Sequence, residues 1–582
     1  MGSVGSPAVV RTETTHKWWK DGSVYQIYPS SFKDSNGDGM GDIQGIISKL
    51  DYIKSIGIDI IWISPHYDSP QIDMGYDVSN YESVYPPYGT LEDMEQLIKE
   101  THARGMRIIV DLVVNHTSSE HAWFKASRSS KKDPKRDWYI WRPAKYHENG
   151  RRMPPNNWRS MFCGSAWTWD EQTEEYYLHL FASEQPDVNW ESPAARQAVY
   201  ESAMEFWLRR GVDGFRIDCV NMYSKGDLQD TPVTEPGVHL QHAGLTFCNG
   251  PRMHEFLDEM GSVLAKYDTM TVGECPFTPD RNQVLSYISS SQQRLNMVFQ
   301  FDVVETGSSH AHKFETMPGK NWLLEFKSAV ERTQGLINDT DGWTTTFLEN
   351  HDWSRSISRF ASDSPQHRVA SGKMLALLTA SLSGTLFLYQ GQELGMINAP
   401  PSWPIEEFKD LDAVNYYNEV RASSNDDAQA LEGARARIRF IARDNARTPM
   451  QWSAAKYAGF SEVEPWMRVV DGYQDINAEA EMQDDDSVLA FWKAMLEMRK
   501  THGDIFVHGS YQGLEMDNNK TFCFVKKGID RQALVVLNFS GDHQLITVPA
   551  AFKAAKMLSS TEKHPLHREK LAPFQGRVYV AE

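Results

Sequence analysis

The chain is predicted to be an α/β protein: a (β/α)8 TIM barrel with a small domain inserted after the third strand and an antiparallel β-sandwich at the C-terminus. Three observations carry this expectation. Eight short runs rich in β-branched and aromatic residues recur along the chain, and most are separated by stretches with helical spacing, the alternation of a parallel sheet. No glycine fingerprint for a dinucleotide follows the first run, which weakens the competing doubly wound open sheet. Beyond residue 510 the pattern changes to short runs that alternate like antiparallel strands.

In chain order the strand runs are Val24–Tyr28, Ile58–Ile63, Arg107–Val113, Gly214–Ile217, Thr269–Gly273, Met297–Phe301, Trp343–Phe347 and Thr385–Tyr389. Helical spacing marks Ile43–Ile56, Leu91–Arg104, Ala194–Arg210 and Gly372–Leu382 between them. About a hundred residues separate the third run from the fourth. A structureless loop of that length is improbable in a compact domain, so residues 117–190 are predicted to form the insertion. The barrel then comprises residues 17–116 and 191–510, with an irregular subdomain at about 396–465 and a last amphipathic helix over Val488–Lys500. Residues 511–582 form the β domain, with strands at Phe522–Val525, Ala533–Asn538 and Gln544–Val548, and residues 1–16 a flexible tail.

A length of 582 residues calls for two or three domains, and 41% hydrophobic with 24% charged residues is ordinary for a folded chain. The net charge of −19, with no basic stripe, argues against nucleic-acid binding. No apolar run is long enough to span a membrane, and the first twenty residues lack the apolar segment of a signal peptide. The five cysteines, at 163, 219, 248, 275 and 523, are widely spaced and include no CxxC, as expected of reduced thiols in a cytoplasmic protein. Gly2 with Ser6 matches the short myristoylation pattern. The sequence carries no signal for oligomeric state.

In such a barrel the chemistry gathers where strands end. Polar residues at those ends are Asp73 and Tyr76 after the second strand and Asn115 and His116 after the third. Arg216 and Asp218 follow at the fourth, Glu274 at the fifth, and His351 and Asp352 at the seventh. Arg216 and Asp218 are two apart, so they share one face of their strand, and a guanidinium beside a carboxylate favours its ionised form. That suits Asp218 as a nucleophile. Strands four and five are neighbours about 4.8 Å apart, which brings Asp218 and Glu274 to about 5–5.5 Å, the separation of a retaining glycosidase pair. Glu274 stands in an apolar setting, Thr271-Val-Gly-Glu-Cys-Pro-Phe277, that raises a carboxyl pKa and suits a general acid. Asp352 is placed to stabilise an oxocarbenium-like transition state.

The stretches Asp111-Leu-Val-Val-Asn-His116, Gly214-Phe-Arg-Ile-Asp218, Val272-Gly-Glu274 and Glu349-Asn-His-Asp352 resemble the four signature regions of glycoside hydrolase family 13, the α-amylase family. Gln185-Pro-Asp-Val-Asn189 and Arg443-Asp-Asn-Ala-Arg-Thr-Pro-Met-Gln-Trp452 are similar to segments of its oligo-1,6-glucosidase and α-glucosidase branch, that of the fungal maltases and isomaltases. The resemblance implies a retaining, exo-acting α-glucosidase acting on small oligosaccharides, with Asp218 as nucleophile, Glu274 as acid/base and Asp352 as stabiliser. It implies glucose binding by Asp73, Tyr76, His116, Phe181, Gln185, Arg216, His351 and Arg443, with Asp73 and Arg443 gripping the non-reducing end. A sucrose isomerase or another glucosyl-transferring relative shares these signatures, and retaining chemistry permits transglucosylation. A non-catalytic transporter heavy chain shares the barrel, but it needs a membrane span and lacks the acid set.

Asp34-Ser-Asn-Gly-Asp-Gly-Met-Gly-Asp42 sets oxygen ligands at alternate positions: Asp34, Asn36, Asp38, the carbonyl of Met40, and Asp42. Gly45 stands where an EF-hand needs glutamate. The resemblance implies a structural Ca²⁺ loop, which Mg²⁺ also suits. A Ca²⁺-responsive binding protein rests on this loop alone. Linkage preference stays open, because family members carry valine with α-1,6 preference and threonine or alanine with α-1,4 after the nucleophile, and this chain has Cys219.

Overall fold

A computed structural model describes residues 17–308, 313–563, 565 and 567–582. The expected tail, 1–16, and Gly2 within it lie outside the described residues. All eight barrel strands form: β1 (Ser23–Ile27), β2 (Ile60–Ile63), β3 (Arg107–Leu112), β4 (Gly214–Ile217), β5 (Met270–Glu274), β6 (Met297–Phe299), β7 (Thr345–Thr346) and β8 (Thr385–Tyr389). Apart from Arg107, every residue in them is buried. Helices cover the outside and side chains fill the inside, so the strands read as nearly continuous apolar runs.

The strands pair in parallel from β1 through β6, and β8 joins β7 to β1. The last seam, β6 to β7, carries one parallel bridge between Val298 and Thr344, and Thr345 Oγ1 donates to the Val298 carbonyl at 3.3 Å. Strand β7 is shorter than the expected Trp343–Phe347 because its ladder runs on one side over only two residues. At the start of β4, Gly214 has φ +145°, and a Cβ there would lie 1.9 Å from the Met270 carbonyl. Only glycine lets β4 approach β5 so closely.

Between β3 and β4 the chain makes a helix, Ala122–Ser129, and a three-stranded antiparallel sheet of Trp141–Arg142, Glu175–Leu178 and Trp167–Asp170. Trp158, Trp167 and Leu178 form its core together with Cys219, Met222 and Phe247, which follow β4. The insertion is therefore packed onto the mouth of the barrel.

The stretch at about 396–465, expected to be irregular, instead holds two 14-residue helices, Leu411–Ser424 and Ala428–Ile441. Asn425 in the left-handed conformation ends the first, and Asp427 caps the second by accepting from Ala430 N. The first helix is only weakly amphipathic, burying Asp412, Ala413 and Tyr416, so its periodicity is faint in sequence.

The C-terminal domain is a five-stranded antiparallel sheet of β9 (Ser510–Leu514), β10 (Thr521–Lys527), β11 (Gln532–Asn538), β12 (Lys556–Ser560) and β13 (Gly576–Ala581). Its residues alternate between two cores. Phe522, Phe524, Val535 and Leu537 pack on the barrel helices, whereas Cys523, Val525, Leu534 and Val536 face Ile546, Phe552 and Leu571. The outer layer is reduced to a ribbon of Gln544–Leu545 with Lys570–Leu571.

Candidate active site

At the C-terminal ends of the strands lies a cavity of about 210 Å³, lined by Asp218, Glu274 and Asp352 together with Asp73, Tyr76, His116, Phe181, His351 and Arg443. Gln185 and Arg216, also singled out in the sequence, stand behind this wall.

Arg216 is the hub. It is fully buried, and across the ladder it faces Asp111 of β3 while Ile217 faces Gly273 of β5. Its Nη1 donates to Asp111 Oδ1 and, at 2.9 Å, to Asp218 Oδ1, while Nη2 donates to Glu274 Oε1. One guanidinium thus ties together the carboxylates at the ends of β4 and β5, and the nearest ligand atoms of Asp218 and Glu274 lie within 4.8 Å. Burial, with the nearby charges of Asp218, Asp352 and Asp111, pushes the Glu274 carboxyl well above its ordinary range, against the pull of Arg216. Asp111 is likewise pushed up to about 7 by burial, and Trp62 Nε1 donates to its Oδ2 at 2.8 Å.

Asp352 meets the opposite influences. Burial disfavours its charge, but His351, Arg443, Arg447 and Arg216 together hold it well below the usual carboxylate value. His351 Nε2 lies 3.1 Å from its Oδ2, and Arg443 and Arg447 reach Oδ1 at 3.3 and 3.2 Å. Burial pushes the His351 imidazole below its ordinary value, against the pull of Asp352, and Gln26 Nε2 lies 2.8 Å from its Nδ1. The Tyr76 ring stacks on His351 with centroids 5.1 Å apart.

Arg443 also donates to Asp73 Oδ1 at 2.9 Å, closing one end of the cavity with an ion pair. Asp73 is pushed up to about 6 by burial in spite of that partner. Gln185 Nε2 donates to Asp73 Oδ2 at 3.0 Å and lies 3.2 Å from His116 Nε2, so it orients both from behind. Phe181 packs on His116 with ring centroids 5.1 Å apart. Around the opening stand Phe162, Phe277, Phe301 and Trp353, an apolar collar, with the Lys313–Asp412 pair at 2.8 Å.

Sequence reasoning missed Asp410 and the role of Arg447. Asp410 Oδ1 accepts from Arg443 Nε at 2.9 Å and lies 3.4 Å from Arg447 Nη1. Arg447 lies inside the segment 443–452, so the signal for it was present, whereas nothing around Asp410 distinguished it. Cys219 adopts φ 45°, ψ 42°, a left-handed conformation uncommon outside glycine, and its side chain lines the cavity.

The metal-loop residues lie apart from this cavity. Asp34 accepts from the Asn36, Gly37 and Gly39 amides and from Ser461 Oγ, and these bonds lower its carboxyl despite burial. Asp42 accepts from Ser35 and caps the helix Ile43–Ser48 at Gly45 N. Asp38 accepts from Met40 N at 2.8 Å. The donor set is all oxygen, and Gly37 and Gly39 at positive φ permit the wrap, so the residues fit a hard cation. In this arrangement the loop also closes on its own hydrogen bonds.

A barrel whose strand ends bring a pair of carboxyls and a third acid into one cavity has the arrangement of a glycoside hydrolase. Residues 26–509 match the alpha-amylase catalytic-domain family. The chain is 52% identical over 572 residues to an alpha-glucosidase of Candida albicans, covering 97% of this chain and 100% of that protein. It is 48% identical to an oligo-1,6-glucosidase of Saccharomyces cerevisiae, covering 98% and 99%. Among solved structures, a trehalulose synthase superposes with a TM-score of 0.90 at 38% identity, over 97% of this chain and 100% of that one. An isomaltulose synthase from Erwinia rhapontici in complex with sucrose gives 0.91 at 36% identity, over 98% and 100%. The protein belongs to the alpha-amylase family, glycoside hydrolase family 13. Among the described residues no helix is long and apolar enough to cross a membrane.

Proposed function

We propose that this protein is a retaining α-glucosidase that removes glucose from the non-reducing end of short α-glucosides. The observation that carries the reading is the single Arg216 guanidinium holding Asp218 and Glu274 with ligand atoms within 4.8 Å of each other. That spacing suits a nucleophile and an acid/base acting in turn, and it leaves no room for the water that an inverting pair needs between its carboxyls.

In the first step the Asp218 carboxylate attacks the anomeric carbon while Glu274, kept protonated by burial, gives its proton to the departing oxygen. In the second, Glu274 takes a proton from water as that water displaces Asp218 and restores the starting enzyme. Asp352, held ionised by two arginines, faces the positive charge that develops on the sugar ring. Asp73 with Arg443 binds the terminal hydroxyls, and Tyr76 on His351 forms a flat wall for the ring. The closed end admits one sugar, hence exo action. An acceptor sugar in place of water gives transglucosylation.

Asp34, Asn36, Asp38, Met40 and Asp42 would hold Ca²⁺, or Mg²⁺, as a structural ion tying the loop after β1 to Ser461. All five cysteines are free, which supports a cytoplasmic setting. The test is the anomer first released from maltose or isomaltose, followed by NMR with wild-type protein and Asp218→Ala. α-Glucose from the wild type and no turnover from the folded variant are expected. β-Glucose as first product, or near-normal activity of the variant, overturns the reading.

A further inference from the structure

We propose that Asp218, Cys219 and Glu274 form an inhibitory site for a thiophilic divalent cation, of the class of Zn²⁺ and Cd²⁺, at the floor of the catalytic cavity. One ligand atom from each, two carboxylate oxygens and the Cys219 sulfur, lie within 4.8 Å of one another. Among the described residues this is the group of three or more such side chains that converges in this way. Ligands around a tetrahedral Zn²⁺ stand about 3.3–3.8 Å apart, so closure asks roughly 1 Å of movement. Three protein ligands and one side open to the cavity leave the fourth position for water.

The oxygens are free to take part. Arg216 engages Oδ1 of Asp218 and Oε1 of Glu274. No N–H or hydroxyl group among the described residues donates to Asp218 Oδ2, although Asp218 is only 5% exposed. Glu274 Oε2 lies 3.5 Å from the Cys219 amide and so faces the thiol. Packing in the cluster with Trp158, Met222 and Phe247 fixes Cys219. Asp352 is answered by Arg443 and Arg447, whereas Arg216 alone bonds the three carboxyl groups Asp111, Asp218 and Glu274, so a second cation is attracted there once Glu274 gives up its proton.

Binding is a ligand exchange without redox change: the metal sheds water, and the thiol and the Glu274 carboxyl each release a proton to solvent. A thiolate ligand selects against Ca²⁺ and Mg²⁺, so the loop at 34–42 and this site take different ions. Valine, threonine or alanine at 219 would leave only two carboxylates. Inhibition follows from the proposed roles of Asp218 and Glu274, but metal binding does not depend on them.

The experiment titrates the full-length protein with Cd²⁺ in excess Ca²⁺, reading the ultraviolet charge-transfer absorbance of a cadmium–thiolate bond. In parallel, Zn²⁺ inhibition constants are measured against substrate. One thiolate-bound Cd²⁺ per chain and competitive inhibition by Zn²⁺ are expected. Cys219→Ser and Cys219→Val should lose the absorbance and raise the inhibition constant, relative to each variant's own uninhibited rate, by at least about tenfold. Cys163→Ser, which alters the half-buried thiol, should keep both. Unchanged absorbance or inhibition in the Cys219 variants overturns the proposal. An inactive protein that still shows the Cys219-dependent absorbance would instead count against the glucosidase reading alone.

Discussion

Replacing Arg216 by lysine keeps the positive charge and removes the fork, which makes it the most direct test of how the acid pair is organised. Arg216 donates to Asp111, Asp218 and Glu274 from two different nitrogens. An ammonium is a point donor and cannot span carboxyls on three strands, so it will satisfy one or at most two of them. Hydrogen bonds to charged groups are worth about 1.5–3 kcal/mol each, so losing two removes about 3–6 kcal/mol of organisation. At about 1.4 kcal/mol per decade the upper bound is a 10²–10⁴-fold fall in kcat/KM. The contacts exist before substrate binds, so only part of their energy bears on the transition state, and a fall of about 100-fold is expected. Glu274, released from the guanidinium that lowers it, should titrate still higher, moving the alkaline limb of the rate–pH profile upward. The assay is kcat/KM for an aryl α-glucoside across pH, with the melting temperature as a check on folding. A folded variant within about threefold of wild type, with an unshifted alkaline limb, would refute the reasoning.

Glu274→Gln should slow maltose-type substrates far more than aryl glucosides with good leaving groups, because only the former need the proton; equal losses on both would remove Glu274 from the acid role. Stripping divalent ions with a chelator should lower the melting temperature and Ca²⁺ should restore it, with Asp38→Ala abolishing the difference; no shift on chelation would count against the loop. Glu393 is buried against Tyr25 and Tyr52, and burial raises its carboxyl to about 7. A raised acid contributes stability that is fully present below the unfolded value, near 4.5, and is lost as pH rises through about 7. Glu393→Gln should therefore gain on the wild type by on the order of 3 kcal/mol between pH 4.5 and pH 8. A stability difference flat across that range would refute it.

The barrel was legible because a parallel sheet buried on both faces demands apolar runs, which stand out one by one along the chain. Charged residues at the ends of those runs stand out for the same reason: Asp218 and Glu274 end strands whose other residues are mostly apolar. The helices at 411–441 were not legible, because Leu411–Ser424 sits on the surface and buries too few positions to show a period.

What the sequence alone determined is therefore the order of eight strands, the acids at their ends, and the antiparallel strands of the C-terminal domain. The tertiary structure decided which charges answer which. Arg216, noticed beside Asp218, proved to hold Glu274 and Asp111 as well. Asp410 and Arg447, both from the region after β8, determine the setting of Asp352. Cys219 gained its importance from a left-handed backbone and two carboxylates facing its sulfur. Local periodicity records which residues are buried. It holds no record of partners brought together across the barrel, because those contacts depend on how the strands close into a ring.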